Sequence, residues 1–353
     1  MKILIAGASG MLAQAVREKF AADSNNEIIL TDLSGRKVGE AGADGTVKKA
    51  GGVSKEDVTS NGNTEVDSFF LDITDPEVIK NVFNEVQPEL VINCAAYTAV
   101  DKAETQEELA YKINADGPGN LARACKELGE STQWQEMLAE TSEDDKKRFE
   151  NGPVLVHIST DYVFGGKKPV SEDYAEDDEK SPETAYGRTK LAGEKQIEES
   201  GCNYYIFRTA WLYGEGNNFV RTMLKVSEGR TEVSVVNDQH GSPTYTEDLT
   251  DIIYQAVTKH IPYGVYNATD LGYTTWAEFT EKIYELADIN CGVQGISSAE
   301  YEEQAKARAG EDYKVAKRPF NSKMSKQKLL DVGVEVPTWE DGLKRYLEAE
   351  AKA

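Results

Sequence analysis

Histidine, cysteine, basic charge and long apolar runs are all in short supply in this chain, and each shortage excludes a class of function. His157, His240 and His260 are its three histidines, too few and too scattered for a zinc centre. Cys94, Cys125, Cys202 and Cys291 lie far apart, which suggests neither a disulfide framework nor a CxxC metal pair. No apolar run approaches the roughly 20 residues needed to cross a bilayer. The first run, "ILIAGA", is too short for a secretory leader and leads straight into a glycine turn. Lys and Arg number 39 against 62 Asp and Glu, a net charge of −23. Phosphate backbones call for clustered cations, so a nucleic-acid surface is excluded. A solvated acidic exterior that aids solubility accounts for the charge. The expectation is a cytoplasmic protein without a metal, with neither nucleic acid nor membrane as partner.

What is present is a rhythm. "KILIAG", "EIILTD", "ELVINCAA", "VLVHIST" and "NYYIFRTAW" read as strands, and the stretches between them carry apolar residues at helical spacing, such as Val78, Val82, Phe83 and Val86. Buried strands alternating with helices predict a parallel sheet covered on both faces. A chain of 353 residues buries a large core as one large or two modest domains. Two segments break the alternation. Residues 35 to 66, rich in Gly, Ser, Thr and charge, read as an excursion or flexible loop. Residues 129 to 152, with "SEDDKKRFEN", read as a short surface insertion with some helix. From 216 onward the elements become short and mixed, with helices expected at 276 to 288 and 339 to 351.

"KILIAGASGMLA" sets Gly7, Gly10 and Ala13 in a GxxGxxA pattern between a strand and a helix. A dinucleotide's pyrophosphate needs close backbone approach and a helix N-terminus presenting its amides. Glycine permits that approach, and Ala13 is small enough for the helix to pack on the strand. The second strand ends at Asp32, about 20 residues on, where a carboxylate can accept from the adenosine ribose hydroxyls and favours NAD. A helix cap is the alternative role for Asp32. Arg36 nearby would tolerate a 2′-phosphate, so both NADH and NADPH stay open. Asp72, in "FFLDITDP", ends another short strand and could meet the adenine, although capping is ordinary work for an acid before Pro.

"SPETAYGRTKLAGE" holds Tyr186 and Lys190 at i, i+4 in a helical window, one turn apart on one face. A phenol with an ordinary pKa near 10 is a poor acid at neutral pH. A neighbouring ammonium favours the phenolate, making Tyr186 a usable proton donor. "VLVHISTDYVFGG" ends a buried strand in Ser159, Thr160, Asp161 and Tyr162. Ligands of open parallel sheets bind at the carboxyl ends of the strands, so Thr160, Asp161 and Tyr162 are expected to line the crevice with Tyr186. There a Thr160 hydroxyl can bond a substrate carbonyl while Tyr186 protonates it.

Taken together, "GASGMLA", "LDITDPEVI", "VINCAAYTAVDKAE", "INADGPGNLA", "VHISTDYVF", "YGRTKLAGE", "RTAWLYG", "DQHGSPTYTEDLT" and "RPFNSKMS" resemble the extended short-chain dehydrogenase/reductases, and within them the dTDP-4-dehydrorhamnose reductase family. The resemblance runs nearly end to end. It implies an enzyme that uses NADPH or NADH to reduce the C4 keto group of dTDP-4-dehydro-L-rhamnose to dTDP-L-rhamnose, for cell-surface polysaccharide. It further implies Thr160, Tyr186 and Lys190 as the catalytic set. Gly7, Gly10, Met11, Leu12, Asp32, Asp72, Ile73, Ala95, Ala96 and Tyr97 would serve the cofactor with Tyr186 and Lys190. Thr160, Asp161, Tyr162 and Trp211 would meet the sugar nucleotide. Asn114 is a candidate for holding a water that resupplies the proton, and Arg318 for a diphosphate or structural contact. The partner implied is a dTDP-sugar, and a homodimer is compatible with the family.

The chain departs from the family pattern in Ala13 at the third glycine and in the two excursions. Some family members hold a metal at a dimer contact; no residue here argues for one. Two other readings stand beside reduction. The related dehydratases carry Asp-Glu after the strand-end Thr, where this chain has Asp161-Tyr162, so it lacks the added carboxylate that dehydration uses. An epimerase on the same fold would retain its cofactor tightly. A non-catalytic regulatory subunit, similar to that of methionine adenosyltransferase, would not need the intact Thr160, Tyr186 and Lys190. The fold expected is α/β, a Rossmann-type doubly wound parallel sheet with a smaller C-terminal α/β substrate domain. The division expected is 1–215 for the dinucleotide-binding domain, with 236–261 returning to it, and 216–235 with 262–353 for the substrate domain.

Overall fold

The computed structural model describes residues 1–34, 68–309 and 315–352; the excursion expected at 35 to 66, with Arg36, lies outside the described residues. Six strands, β1 (Lys2–Ala6), β2 (Glu27–Asp32), β3 (Phe69–Phe70), β4 (Leu90–Asn93), β5 (Val154–Thr160) and β6 (Asn203–Thr209), join the later strand Gly264–Asn267 in one sheet. Its order is Gly264–Asn267, β6, β5, β4, β1, β2, β3, and each pairing is parallel. Ile3, Leu4, Ile5, Val91, Ile92 and Leu155 are buried because helices cover both faces, and such strands read as unbroken apolar runs. The sheet is therefore α/β and doubly wound, as the alternation predicts. The chain winds outward from β1 in one direction and from β4 in the other. That reversal puts the carboxyl ends of β1 and β4 side by side, and crevices form at such points.

Local chemistry sets the elements. Asp75 caps the helix Pro76–Val86 by accepting from the amides of Glu77 and Val78, and Pro76 suits the first turn. The helix buries Ile79, Val82, Phe83 and Val86, the i, i+3, i+4, i+7 stripe of an element packed on one face. It stops where Gln87 turns left-handed at φ 51°.

The later half divides its apolar residues between two cores. Leu249, Ile252 and Ile253 of the helix Thr246–Thr258 pack into the sheet's own core. A second core contains Tyr213, Val235, Phe279, Ile283, Trp339 and Leu343. Around it the strand Glu232–Val236 pairs in parallel with Gly292–Ile296, and the helices Trp276–Leu286 and Trp339–Glu350 supply apolar faces. One piece of the expected division differs. The strand Gly264–Asn267, assigned by sequence to the substrate domain with the rest of 262–353, pairs with β6 and extends the large sheet. Leu329, from the helix Gln327–Asp331, also sits in the large core. "GVYN" carries no apolar run of its own, so only its neighbour identifies it as a sheet strand.

The insertion at 129 to 152 contains the helices Thr132–Ala139 and Glu143–Arg148. It is anchored rather than superficial. Trp134 is buried, meets Phe149 edge to face and donates its Nε1–H to the Phe149 carbonyl at 3.2 Å. A buried indole brings a large apolar area and one N–H that must find an acceptor, and this turn provides both.

Candidate active site

The glycine turn after β1 closes tightly on the loop after β4. Gly7 has φ +75°, and a Cβ there would lie 2.7 Å from the amide nitrogen of Ala95, so only glycine fits. The amides of Gly7 and Ala8 both donate to the Thr31 carbonyl, at 2.9 and 3.1 Å. Gly10 then begins the helix Met11–Ala21 without a side-chain cap, leaving the first-turn amides at Met11 and Leu12 available to an anion. At the end of β2, Oδ2 of Asp32 accepts from the Ser9 amide and hydroxyl at 2.9 and 2.7 Å, and Oδ1 from the Leu33 amide at 2.7 Å. Burial pushes this carboxyl up, but the donors from Ser9, with the backbone amides of Leu33 and Ser34, together hold it below the ordinary range. Asp32 is thus a firm anion beside the glycine turn, and a dinucleotide fits this cradle of amides and acid.

Asp72 spends Oδ1 on its own turn, accepting from the amide and hydroxyl of Thr74 at 2.9 and 2.8 Å. Ile73 fills the space that a side chain at Gly117 would need, and its carbonyl accepts from Asn120 at 3.0 Å. After β4, the Ala95 amide donates to Asn93 Oδ1 at 3.1 Å, and Ala95, Ala96 and Tyr97 are half-buried. Asn114 clamps this loop: its Oδ1 accepts from the Tyr97 amide at 2.8 Å, and its Nδ2 donates to the Tyr97 carbonyl at 3.0 Å and to Thr189 Oγ1 at 3.3 Å. Both ends of the Asn114 amide are thus engaged in clamping this loop. It sits in a π-helical turn, Lys112–Asp116, whose backbone carbonyl at Asn114 lies against Gly193.

At the end of β5, Thr160 and Asp161 are buried. Thr160 donates to Asp161 Oδ1 at 3.0 Å, and Ser322 donates to Oδ2 at 2.5 Å. Burial pushes the Asp161 carboxyl up to about 6 against those donors. The rings of Tyr162 and Tyr186 meet edge to face at 5.5 Å. Thr184 starts the helix Ala185–Ser200 by accepting from the Gly187 amide at 3.0 Å, which sets Tyr186 at its first turn. Burial, followed by the charge of Asp161, pushes the Tyr186 phenol up to about 12, while the Thr160 hydroxyl pulls the other way. Lys190 lies deeper, 2% exposed. Its Nζ donates to the Ile158 carbonyl at 2.5 Å and lies 3.3 Å from His157 Nε2. Burial lowers it to about 8, with Glu194 opposing. The spacing correctly puts Tyr186 and Lys190 on one helix face, but that face packs on β5, and a buried amine takes the nearest acceptor. Lys190 therefore engages the strand here, and the fall in phenol pKa expected from it is not seen.

Trp211 is half-buried with φ 49°, a left-handed backbone rare for a bulky residue. Its indole stacks on Trp276 with centroids 3.8 Å apart and 17° between planes, and Trp276 donates its Nε1–H to Gln239 at 3.2 Å. Arg318 takes the structural option: its Nη1 and Nη2 reach the two carboxylate oxygens of Asp101 at 3.0 and 3.4 Å. Sequence reasoning missed Ser322, although it singled out "RPFNSKMS", and missed Trp276 and the buried group behind the helix. That group is Glu194, paired with Arg208 at 3.0 and 2.7 Å and accepting from Ser159 at 2.5 Å. Glu194 at i+4 from Lys190 was its one available signal.

Comparison with known proteins agrees with this architecture. The family described as RmlD substrate binding domain matches residues 1–132 and 146–352, interrupting its match within the insertion. The dTDP-4-dehydrorhamnose reductase of Escherichia coli is 35% identical over 282 residues, 78% of this chain and 84% of that protein. A dTDP-4-dehydrorhamnose reductase from Clostridium acetobutylicum superimposes with a TM-score of 0.75 at 34% identity, over 99% of this chain and 100% of that one. A Bacillus anthracis dTDP-4-dehydrorhamnose reductase in complex with NADP gives 0.73 at 32% identity, over 99% of each chain.

Proposed function

This chain belongs to the dTDP-4-dehydrorhamnose reductase family, and on that premise we propose that it reduces the C4 keto group of dTDP-4-dehydro-L-rhamnose with NADPH or NADH, yielding dTDP-L-rhamnose. The observation that carries the reading is the convergence of Thr160, Asp161, Tyr162 and Tyr186 where β5 meets the helix Ala185–Ser200.

A nicotinamide cofactor, when bound, supplies the hydride. Gly7, Gly10, Met11 and Leu12 would receive its pyrophosphate, Asp32 its adenosine ribose, and Asp72 and Ile73 would flank the adenine. Ala95, Ala96 and Tyr97 would form the wall on the β4 side. The chain's own residues manage the proton. Thr160 would orient the keto oxygen by turning to it the one hydroxyl hydrogen that it otherwise gives to Asp161. Tyr186 donates its phenolic proton to that oxygen as negative charge develops there. A phenol held near 12 stays protonated at neutral pH, so the proton is in place before reaction. Lys190 would favour the phenolate left behind by turning its ammonium from the Ile158 carbonyl toward Tyr186. Asp161, Tyr162 and Trp211 contact the sugar, and the second core supplies the nucleotide side.

No helix among the described residues is long and apolar enough to cross a membrane; the reading makes this an enzyme of the cytoplasm, with a homodimer as the assembly to be tested by light scattering. Purified protein mixed with dTDP-4-dehydro-L-rhamnose should consume NADPH or NADH, read as falling nicotinamide absorbance. Cofactor binding without turnover of this keto sugar would overturn the substrate assignment and favour another sugar nucleotide or a regulatory role.

A further inference from the structure

We propose that His157 is a positioning residue for Lys190: held by Asn93, its ring directs an Nε2–H at Lys190 Nζ and opposes a proton on that amine. The kinetic side of this proposal rests on the reductase reading; its structural side does not.

β4 and β5 are parallel neighbours with Asn93 and His157 as register partners, so the two side chains share one face of the sheet. Both are at most 1% exposed. The orientation of the Asn93 amide is identified by the backbone, because its Oδ1 accepts from the Ala95 amide at 3.1 Å. Its Nδ2 is therefore the group that meets His157 Nδ1 at 3.1 Å, and it can only donate. A ring nitrogen that accepts carries no proton, so the neutral imidazole keeps its hydrogen on Nε2. Burial, followed by the charge of Lys190, holds His157 well below its ordinary pKa and hence neutral.

That Nε2–H points at an amine nitrogen 3.3 Å away. If Lys190 is an ammonium, N–H meets N–H. If it is a neutral amine, its lone pair accepts from Nε2–H while one of its own hydrogens goes to the Ile158 carbonyl. The other charged groups nearby leave this contest to the imidazole. Glu194, one turn along the same helix, favours the ammonium, but its oxygens are engaged by Arg208 and Ser159. Arg208, on β6, is matched by that same carboxylate. Tyr186, one turn earlier, is an uncharged phenol at neutral pH, and Asp161 at the strand end is engaged by Thr160 and Ser322. From β4 the facing group is the uncharged Asn93. One hydrogen-bonded line thus runs from the Ala95 loop, through Asn93 and His157, to Lys190.

The first test needs no substrate. The full chain labelled with 15N-histidine has three imidazoles, which a long-range proton–nitrogen spectrum resolves. His157 should show Nε2 protonated and Nδ1 bare from about pH 6 to 9. A proton on Nδ1, or a doubly protonated ring, would overturn the proposal whatever the enzyme's substrate. The second test is the pH profile of kcat/KM. His157→Gln offers the ammonium a carbonyl acceptor. Asn93→Asp accepts from both Ala95 N–H and Nδ1–H, turning Nε2 into an acceptor. Each should move the alkaline limb upward by about one pH unit. Limbs that stay in place in both variants, with only stability or kcat reduced, would mean that His157 is packing alone. Failure of the wild type to reduce the keto sugar would overturn the reductase reading and leave the spectrum to decide the role of His157.

Discussion

Ser322 donates its hydroxyl hydrogen to Oδ2 of Asp161 at 2.5 Å, across 161 positions of sequence. Its own amide donates to the His240 carbonyl at 2.7 Å, so the segment that carries it is held in place on both sides. Asp161 receives its other donor from Thr160, and the strand end is thereby organised by a residue far along the chain. Ser322→Ala should leave cofactor affinity unchanged and lower kcat/KM for the sugar nucleotide about ten- to a hundredfold, since a hydrogen bond to a charged group is worth about 1.5–3 kcal/mol. Titration of cofactor binding alongside steady-state kinetics checks both halves.

Asp161 also makes stability depend on pH. Its folded-state pKa is about 6 against an ordinary 3.8, so the folded chain retains a proton that the unfolded chain has released. The stability it contributes is complete below 3.8 and is lost as pH rises through about 6. Asp161→Asn removes this titration. In urea unfolding, the variant should gain on the wild type by about 1–3 kcal/mol between acid and neutral pH. A difference that does not change with pH would contradict the burial of this carboxyl.

The Glu194–Arg208 pair, 2% exposed on each side, is two-pronged and further satisfied by Ser159. Removing one partner strands the other charge. Glu194→Ala should therefore cost about 3–5 kcal/mol in denaturant unfolding, far more than Glu107→Ala, whose pair with Arg188 is exposed and worth at most about 1 kcal/mol.

Trp276 stacks on one face of Trp211, and it carries its own anchor in Gln239. Trp276→Ala frees a residue held in a left-handed backbone. The KM for the sugar nucleotide should rise about five- to tenfold, as expected for losing an aromatic pair worth about 0.5–1.5 kcal/mol. The KM for the cofactor should not move.

Asp32 is an anion held by Ser9, and an anion there repels a 2′-phosphate while accepting from a 2′-hydroxyl. Asp32→Ala should shift the ratio of kcat/KM for NADPH over NADH upward by about tenfold, roughly 1.4 kcal/mol of discrimination. Parallel assays with the two cofactors read that ratio directly.

Part of the site is legible in the order of residues alone. Glycines at 7 and 10, the strand-end Thr160 and Asp161, and the placing of Tyr186 and Lys190 on one helix face by their spacing are local patterns, read from a few adjacent residues. The seven-stranded parallel sheet is legible for the same reason, since buried strands between amphipathic helices admit few arrangements. The strand Gly264–Asn267 is not, because its four residues become a strand only by pairing with β6.

Residue types and their periods alone determined the α/β class, the glycine turn and the set of groups available for chemistry, because these follow from backbone sterics and from which side chains can donate or ionise. Tertiary structure alone decided what those groups do to one another. It brought Ser322 to Asp161, set Trp276 behind Trp211, and turned Lys190 toward Ile158 and His157 rather than toward Tyr186. The reason is physical: burial raises the energy of every unpaired polar group, and only the folded chain determines which partner lies within reach to relieve it.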